Sequence, residues 1–181
     1  GLLYVSGPSV MLGYHNNPEE TSKVISYDEN GKRWINIGDF LMKTSDGEYK
    51  YVGRQKRNFV SGCDNIYPEE LESLLLLIPE IREVVVTPIS DEMVQYIPRY
   101  HISLYDTNID YEELEEKINA LVMSKLNENW LPGSIAYYDK PLERMQNSKV
   151  NISYYKELDQ KALENNEIDN TSAKQLRLKR I

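Results

Sequence analysis

Few side chains in the sequence are suited to metal or nucleophilic chemistry, and their types exclude several common active sites. Cys63 is the single cysteine, and His15 and His101 are the two histidines, so one chain cannot assemble a zinc site of the Cys/His type. The motifs GxGxxG, GxxxxGK(S/T), HExxH and GxSxG are absent, which leaves a dinucleotide site, a phosphate loop, a zinc protease and a hydrolase nucleophile without support. Because Cys63 adjoins Asp64, it is not in the electropositive setting of a reactive thiolate. We expect no metal site.

Three charged residues remain as candidates for chemistry. The carboxylate of Asp39 accepts two hydrogen bonds, which suits a vicinal diol. Arg54 is a rigid cation with several donors, and Lys149 is an ammonium on a long stem that suits negative charge spread over several oxygens. Taken alone, Asp39 is more simply an exposed aspartate at a strand end, and Arg54 is a solvated loop charge.

Five segments, in order along the chain, resemble the motifs of the acyl-adenylate-forming enzymes. This superfamily contains the acyl-CoA synthetases, the adenylation domains of nonribosomal peptide synthetases, and luciferase. The resemblance covers residues 1 to about 160, and the run Asn65–Glu72 is closer to acyl-CoA synthetases than to peptide synthetases. The five segments are Gly13–Thr21, Trp34–Asp39, Gly53–Arg57, Ser61–Glu72 and Asn147–Val150.

The resemblance implies roles for the three charged candidates. Asp39 would hold the ribose of ATP, and Arg54 would lie near the ribose and the phosphates. Lys149 would be the catalytic residue, bridging the substrate carboxylate and the α-phosphate during adenylation.

Four residues depart from the family motifs at these positions. Ile37 stands where the family has threonine, and Ser148 replaces a glycine beside the candidate lysine. Glu143 and Met145 stand where proline and threonine are usual. The departures bear on the conformation of the loop more than on the role of Lys149.

The resemblance also implies a hinge and a thiol-proximal turn. Lys56 falls where the family keeps a hinge residue whose backbone dihedrals change as the C-terminal domain rotates. Ser61 and Gly62 lie in a turn that would approach the pantetheine of CoA, where a glycine permits close backbone contact. An ordinary linker lysine and an ordinary hairpin glycine would give the same local sequence.

The sequence predicts that the helices and strands which position these residues form an α+β chain in three parts. We expect residues 1–54 to be a small antiparallel β segment, which the resemblance assigns to the β-barrel subdomain of a larger adenylation domain. Residues 55–160 would form a compact, mobile α+β domain with a three-stranded sheet. Residues 161–181 are polar, and we expect a partly disordered tail.

Turn residues and hydrophobic periodicity predict the individual elements. Asn17 followed by Pro18 predicts a short helix start in the β segment, and Thr44–Gly47 predicts a hairpin turn. In the second part the sequence predicts two amphipathic helices on one face of the sheet, the first beginning at Pro68 and the second capped by Asp110. The strands predicted in the first part are Leu2–Val5, Trp34–Ile37, Phe40–Lys43 and Glu48–Val52. In the second part the sequence predicts a hairpin of Asn58–Ser61 and Asn65–Tyr67 around Gly62, and the strands Ile81–Ile89, His101–Tyr105 and Ser134–Tyr138.

The composition limits which classes of partner and which cellular location we expect for this protein. Of the 181 residues, 29 are acidic and 21 basic, giving a net charge of −8, so we expect no nucleic-acid partner. The longest apolar run, Leu74–Ile78, is far below the roughly 20 residues that cross a bilayer, so we expect no membrane span. A lone cysteine fits a reducing, cytoplasmic setting.

These observations favour the C-terminal part of an ATP-dependent acyl-CoA ligase of fatty acid type. The parent enzyme would use ATP, Mg²⁺ and CoA with a small-molecule carboxylate, and its partner would be an upstream N-terminal adenylation domain in the same chain. Because the chain begins with Gly1, we expect it to be part of a longer protein. We expect this part to be inactive when it is isolated and to hold no cofactor tightly. An adenylation domain that loads a carrier protein, and a non-catalytic interaction module, stay open as alternatives.

Overall fold

The computed structural model describes residues 1–165 and 167–168, which fall into two units of contacts, Gly1–Arg57 and a second unit beginning at Asn58. In residues 1–57, all of them described, four strands form one antiparallel sheet with a short helix beside it. Strand β3 pairs with each of the other three. The elements are β1 (Leu2–Ser6), α1 (Pro18–Val24), β2 (Ile25–Tyr27), β3 (Arg33–Lys43) and β4 (Tyr49–Arg54).

In the first unit, the predicted helix cap and first-turn proline are confirmed, and the predicted pair of strands around Gly38 is wrong. The Asn17 side chain accepts a hydrogen bond from the Glu20 backbone N–H at 3.1 Å, and Pro18 occupies the first turn of α1. The two strands predicted around Gly38 are instead one strand of 11 residues. Gly38 adopts a φ of +77°, a conformation that glycine tolerates, so the chain kinks there and continues in the sheet.

In the part of the second unit that the structure describes, five strands form one sheet. Strand β8 pairs antiparallel with β7 along its length, parallel with β9, and antiparallel with β5 at Gln95. The elements are β5 (Phe59–Ser61), β6 (Asp64–Ile66), α2 (Pro68–Leu75), β7 (Ile81–Asp91), β8 (Gln95–Leu104), α3 (Tyr111–Lys125), β9 (Ser134–Tyr138) and α4 (Ile152–Glu164), with a single 3₁₀ turn at Glu128–Trp130.

The α+β class is confirmed, but the prediction of a three-stranded sheet was wrong. The predicted hairpin around Gly62 joins the same sheet as β7, β8 and β9. Strand β8 begins at Gln95, well before the predicted start at His101. The prediction began too late because Pro98 argues against a central strand when the sequence is read alone. The first unit is an open sheet and not a closed barrel within residues 1–57.

Two hydrophobic clusters cover opposite faces of the second sheet. The larger cluster lies under α2 and α3, where Leu71 and Ile118 are fully buried against Ile102 of β8. Helix α4 packs on the other face, where Tyr155 meets Val85 of β7. The predicted pair of helices on one face is present, and α4 adds a third layer that was not predicted.

The predicted tail beginning at 161 overlaps the end of α4, which runs to Glu164. Residues 166 and 169–181 lie outside the described residues. The predicted domain ranges stay a prediction. Among the described helices, none combines the length and the apolar character required to cross a membrane.

Candidate functional site

Asp39 and Arg54 are direct neighbours in the first unit. They pair across β3 and β4, and the Arg54 Nε lies 3.1 Å from the Asp39 Oδ1. The Asp39 side chain is 18% exposed and that of Arg54 is 61% exposed. The kink at Gly38 immediately precedes Asp39, and the Gly38 carbonyl accepts a hydrogen bond from the Gln55 N–H at 2.8 Å. The pair therefore offers carboxylate acceptors and guanidinium donors side by side at one place on the sheet.

Lys56 lies in the turn that follows β4. The Arg57 N–H bonds the Arg54 carbonyl at 3.0 Å, which closes this turn around Lys56. Lys56 is exposed, and the second unit begins at Asn58. The structure thus places the candidate hinge residue in irregular backbone between two sheets.

Ser61 and Gly62 form the turn between β5 and β6. Ser61 is fully buried, and Gly62 has a φ of +61° and donates its N–H to the Val94 carbonyl at 2.9 Å. A Cβ at Gly62 would lie 3.1 Å from the Asn129 Oδ1, and Asn129 donates to Asp64 at 2.7 Å. We call Ser61–Asp64 the glycine turn. It is supported from behind by Asn129 and needs glycine for both its backbone angle and its close approach.

Lys149 extends from a tight hairpin between β9 and α4. Arg144 and Val150 form an antiparallel bridge, and the turn between them is closed by the Ser148 N–H on the Met145 carbonyl at 2.9 Å. We call Arg144–Val150 the lysine loop. Lys149 is exposed, and within residues 1–165 no acceptor lies within hydrogen-bonding distance of its amine. The ammonium is available to an anion.

The lysine loop and the glycine turn are attached at opposite ends of the β7–β8 hairpin. The lysine loop is joined to Glu83, near the start of β7, through the guanidinium of Arg144. The glycine turn is joined to Val94, in the connection that follows β7. From Glu83 to Asp91 the strand extends roughly 26 Å at about 3.3 Å per residue. The structure does not bring Lys149 and Gly62 together.

Sequence reasoning missed a buried polar cluster on the α4 face of the sheet. Asp159 of α4 lies 2.9 Å from the Arg99 Nε and accepts a hydrogen bond from the Thr87 hydroxyl at 2.5 Å. The His101 Nε2 lies 3.2 Å from the same carboxylate, and its Nδ1 lies 2.9 Å from the Tyr138 hydroxyl. Thr87 and His101 are fully buried and Asp159 is 3% exposed, so this cluster fastens α4 to the sheet and has a buried centre.

A signal for this cluster exists in β8, where Arg99, His101 and Ser103 alternate with the apolar residues Tyr100, Ile102 and Leu104. Such alternation is also typical of a strand with one solvated face. Only the position of α4 shows that the polar face is covered.

Comparisons with known proteins agree on one superfamily, although no family model matches the chain. The mitochondrial medium-chain acyl-CoA ligase ACSF2 of Mus musculus is 37% identical over 92 residues, which are 51% of this chain and 14% of the relative. The same ligase of Homo sapiens is 31% identical over 137 residues, which are 76% of this chain and 21% of the relative. The medium/long-chain-fatty-acid–[acyl-carrier-protein] ligase FadD10 of Mycobacterium tuberculosis is 35% identical over 92 residues, covering 51% and 16%.

Solved structures give the same result for the fold. The amide bond synthetase McbA of Marinactinospora thermotolerans superposes with a TM-score of 0.74 at 22% identity, covering 87% of this chain and 31% of that protein. The o-succinylbenzoate CoA synthetase MenE of Bacillus subtilis, solved with its acyl-adenylate intermediate, superposes with a TM-score of 0.68 at 27% identity, covering 83% and 29%. The chain thus spans less than a third of these relatives. It belongs to the acyl-adenylate-forming superfamily and matches the C-terminal part of these enzymes.

Proposed function

We propose that this chain is the C-terminal part of an ATP-dependent acyl-CoA ligase. The enzyme would first join a carboxylate of fatty acid type to AMP and then transfer the acyl group to CoA, with rotation of the second unit between the two steps. Three relatives bear names of ligases that act on fatty acyl or medium-chain acyl groups, which supports the reaction class.

The observation that carries this proposal is the placement of the two turns at opposite ends of the β7–β8 hairpin. A group that acts on a reacting centre has to lie within about 3 Å of it, as a hydrogen-bonding donor does. The exposed ammonium of Lys149 and the backbone of Gly62 are separated by most of a strand. Both cannot lie at one acyl-adenylate centre at once, so their use in a single reaction requires two orientations of the second unit.

In the first step, a carboxylate oxygen would attack the α-phosphorus of ATP, and the bond to pyrophosphate would break. Negative charge then spreads over the carboxylate and phosphoryl oxygens, where the Lys149 ammonium supplies a mobile point charge. Asp39 and Arg54 present acceptors and donors suited to a ribose diol and a phosphate. ATP would enter with Mg²⁺ as a substrate complex.

In the second step, the thiolate of CoA would attack the acyl carbonyl, and AMP would leave with the electron pair of the mixed anhydride bond. The glycine turn would allow close approach of the pantetheine arm, since Gly62 has no side chain and its backbone N–H is held by the Val94 carbonyl. Ser61 lies buried directly before it.

A second candidate function is the loading of an acyl carrier protein in place of CoA. The relative FadD10 is named as an acyl-carrier-protein ligase, and its identity to this chain is close to that of the CoA ligases. Both acceptors carry the same pantetheine thiol, so the glycine turn fits either. A non-catalytic module is the third reading, and the ligase names of the relatives favour an enzyme over it.

The test uses the full-length protein that contains this chain. Purified enzyme is supplied with ATP, Mg²⁺ and straight-chain acids of graded length, and carboxylate-dependent exchange between ATP and pyrophosphate is measured. The product is then assayed with CoA and, in parallel, with a phosphopantetheinylated carrier protein. Exchange that depends on an acid, with thioester formed on CoA, is the expected result. Exchange with thioester formed on the carrier protein alone would select the second candidate, and no exchange with any acid would overturn the proposal.

A further inference from the structure

The lysine loop is held to the sheet by one arginine that contacts two different acceptors. The guanidinium of Arg144 donates from Nη1 to the Ser148 carbonyl at 2.6 Å and from Nη2 to the Glu83 carboxylate. Glu83 belongs to β7, and Ser148 directly precedes Lys149. Arg144 therefore joins a rigid strand to the peptide group that leads into the candidate catalytic residue.

Glu83 contributes a second attachment through its other oxygen. The Glu83 Oε2 accepts the Leu142 N–H at 2.6 Å, while its Oε1 meets Arg144. The Glu83 side chain is 18% exposed, Leu142 is buried and the Arg144 side chain is 45% exposed, so the Glu83 end of this anchor is the part shielded from water. Hydrogen bonds that involve an ionised group are about twice as strong as neutral ones. One carboxylate thus fixes both the entry of the loop and the arginine inside it.

The backbone at Ser148 shows why such an anchor matters. Ser148 has a φ of +64°, a left-handed conformation that costs a residue other than glycine about 1 kcal/mol or more. Its carbonyl lies in the planar peptide group that also contains the Lys149 N–H, which bonds the Asn147 Oδ1 at 3.1 Å. Holding the Ser148 carbonyl therefore sets the orientation of the Lys149 backbone.

We propose that Arg144 and Glu83 are positioning residues for adenylation, which direct Lys149 by clamping the Ser148 carbonyl to β7. The inference rests on the proposed function of Lys149. It predicts that loss of the clamp weakens only the half-reaction in which Lys149 acts, because the glycine turn at the other end of the hairpin has its own attachment to Val94.

The experiment is a double-mutant cycle in the full-length enzyme with Arg144→Gln and Lys149→Ala, alone and combined. We expect Arg144→Gln to lower kcat for adenylation on the order of 10-fold, with KM for ATP changed less, and to leave thioester formation from supplied acyl-AMP within about twofold. In the Lys149→Ala background, Arg144→Gln should have no further effect, because the arginine acts through the lysine.

Two further variants keep the test decisive if Arg144→Gln does not fold. Glu83→Gln retains the shape of the anchor without its charge and should reproduce the selective loss. Arg82→Gln is the matched control, since Arg82 lies beside Glu83 on β7 and its guanidinium contacts Tyr105 and not the lysine loop. The control should leave both half-reactions unchanged. Amide hydrogen exchange should be faster at Leu142 and Lys149 in Arg144→Gln and Glu83→Gln only.

The outcomes separate this inference from the function on which it rests. If Lys149→Ala leaves adenylation intact, the proposed function fails and the inference fails with it. If Lys149→Ala impairs adenylation, but Arg144→Gln and Glu83→Gln have no effect or impair both half-reactions equally, the inference alone is overturned. An additive loss in the combined variant would likewise make Arg144 a structural residue.

Discussion

At the scale of single residues, the charged candidates differ in whether they have an ion-pair partner. Asp39 and Arg54 neutralise each other across a strand pair, whereas Lys149 is exposed with no acceptor for its amine among the described residues. A paired carboxylate keeps its position without a ligand, while an unpaired ammonium is held only by its backbone. We therefore expect Lys149 to contribute stabilising energy only when an anionic group is bound beside it.

We predict that Lys149→Ala in the full-length enzyme slows adenylation on the order of 10²- to 10³-fold, or roughly 3 to 4 kcal/mol, mainly in kcat. The lysine would stabilise charge that builds up only while acyl-AMP forms. Each half-reaction is measured separately, with ATP plus carboxylate and with supplied acyl-AMP plus CoA. Lys156→Ala, an exposed lysine on α4, is the control. Equal impairment of both half-reactions would mean that Lys149 is structural.

The tyrosines of the second unit predict a loss of stability in alkali. Burial raises the pKa of Tyr138 to about 12, from an ordinary value of about 10, and burial also raises the pKa values of Tyr100, Tyr137 and Tyr155. Between these two pH values the unfolded chain releases protons that the folded chain retains. The stabilisation is therefore complete below about pH 10 and is lost as the pH rises through about 12.

We expect Tyr138→Phe to reduce this alkaline fall in the free energy of unfolding, measured by urea titration between about pH 9 and pH 12. Tyr105→Phe is the control, because the side chain of Tyr105 is 66% exposed. A pH dependence that is identical in both variants would contradict a role for burial of Tyr138.

At the scale of elements, α4 directly follows the lysine loop and helps to attach it to the rest of the second unit. Its N-cap is Asn151, directly after the lysine loop, and the Tyr155 hydroxyl accepts the Glu143 N–H at 2.7 Å. The same helix is fastened to the sheet through Asp159. The position of the loop thus depends on a polar anchor one turn further along the helix.

We predict that Asp159→Ala lowers the free energy of unfolding by about 3 to 5 kcal/mol, because it leaves the charge of Arg99 poorly exposed and without its partner. The side chains of Arg99 and Asp159 are 15% and 4% exposed. The measurement is the urea midpoint of the chain, with Glu157→Ala on the exposed side of α4 as the matched control. A change below about 1 kcal/mol would show that the pair is screened as a surface ion pair is.

At the scale of the whole molecule, the two units are joined in the chain by the short turn between β4 and β5. Arg54 still belongs to β4, and β5 begins at Phe59, so Lys56 is the centre of the irregular stretch. A rotation between two orientations would concentrate dihedral change in such a segment. This makes the backbone of Lys56, and not its charge, the feature to test.

We predict that Lys56→Pro in the full-length enzyme impairs thioester formation and leaves adenylation largely intact, the reverse of Lys149→Ala. The proline ring locks φ near −65° and restricts rotation. Lys56→Ala, which removes the charge and keeps the backbone free, should resemble the wild type. If Lys56→Ala is as damaging as Lys56→Pro, the side chain matters and the hinge assignment is wrong.

We also predict that, within residues 1–160, trypsin first cuts after Lys56 or Arg57, because a protease requires locally open backbone and the sheets on either side of this turn are hydrogen-bonded. Mass spectrometry of the early products locates the cuts. First cleavage inside β7, at Arg82, would contradict a boundary at this turn.

The sequence by itself determined the elements whose formation depends on near neighbours. Asn17 and Asp110 cap their helices as predicted, since a capping side chain bonds to backbone only two or three residues away. The motif segments also identified the superfamily and placed the candidate residues in order along the chain. Local hydrogen bonding and ordered motifs are properties of sequence distance, so a linear reading recovers them.

Only the tertiary structure decided which residues meet across long sequence distances. Arg144 contacts Glu83 and Asp159 contacts Thr87, although these partners are 61 and 72 positions apart in the sequence. Helix α4 was not predicted, although Ile152, Tyr155, Leu158 and Leu163 recur at helical spacing and pack in the hydrophobic clusters of the second unit. Hydrophobic periodicity indicates that a helix has an apolar face, but it does not identify the strand that this face meets or the polar residues buried beside it, because those contacts form only when the whole chain folds.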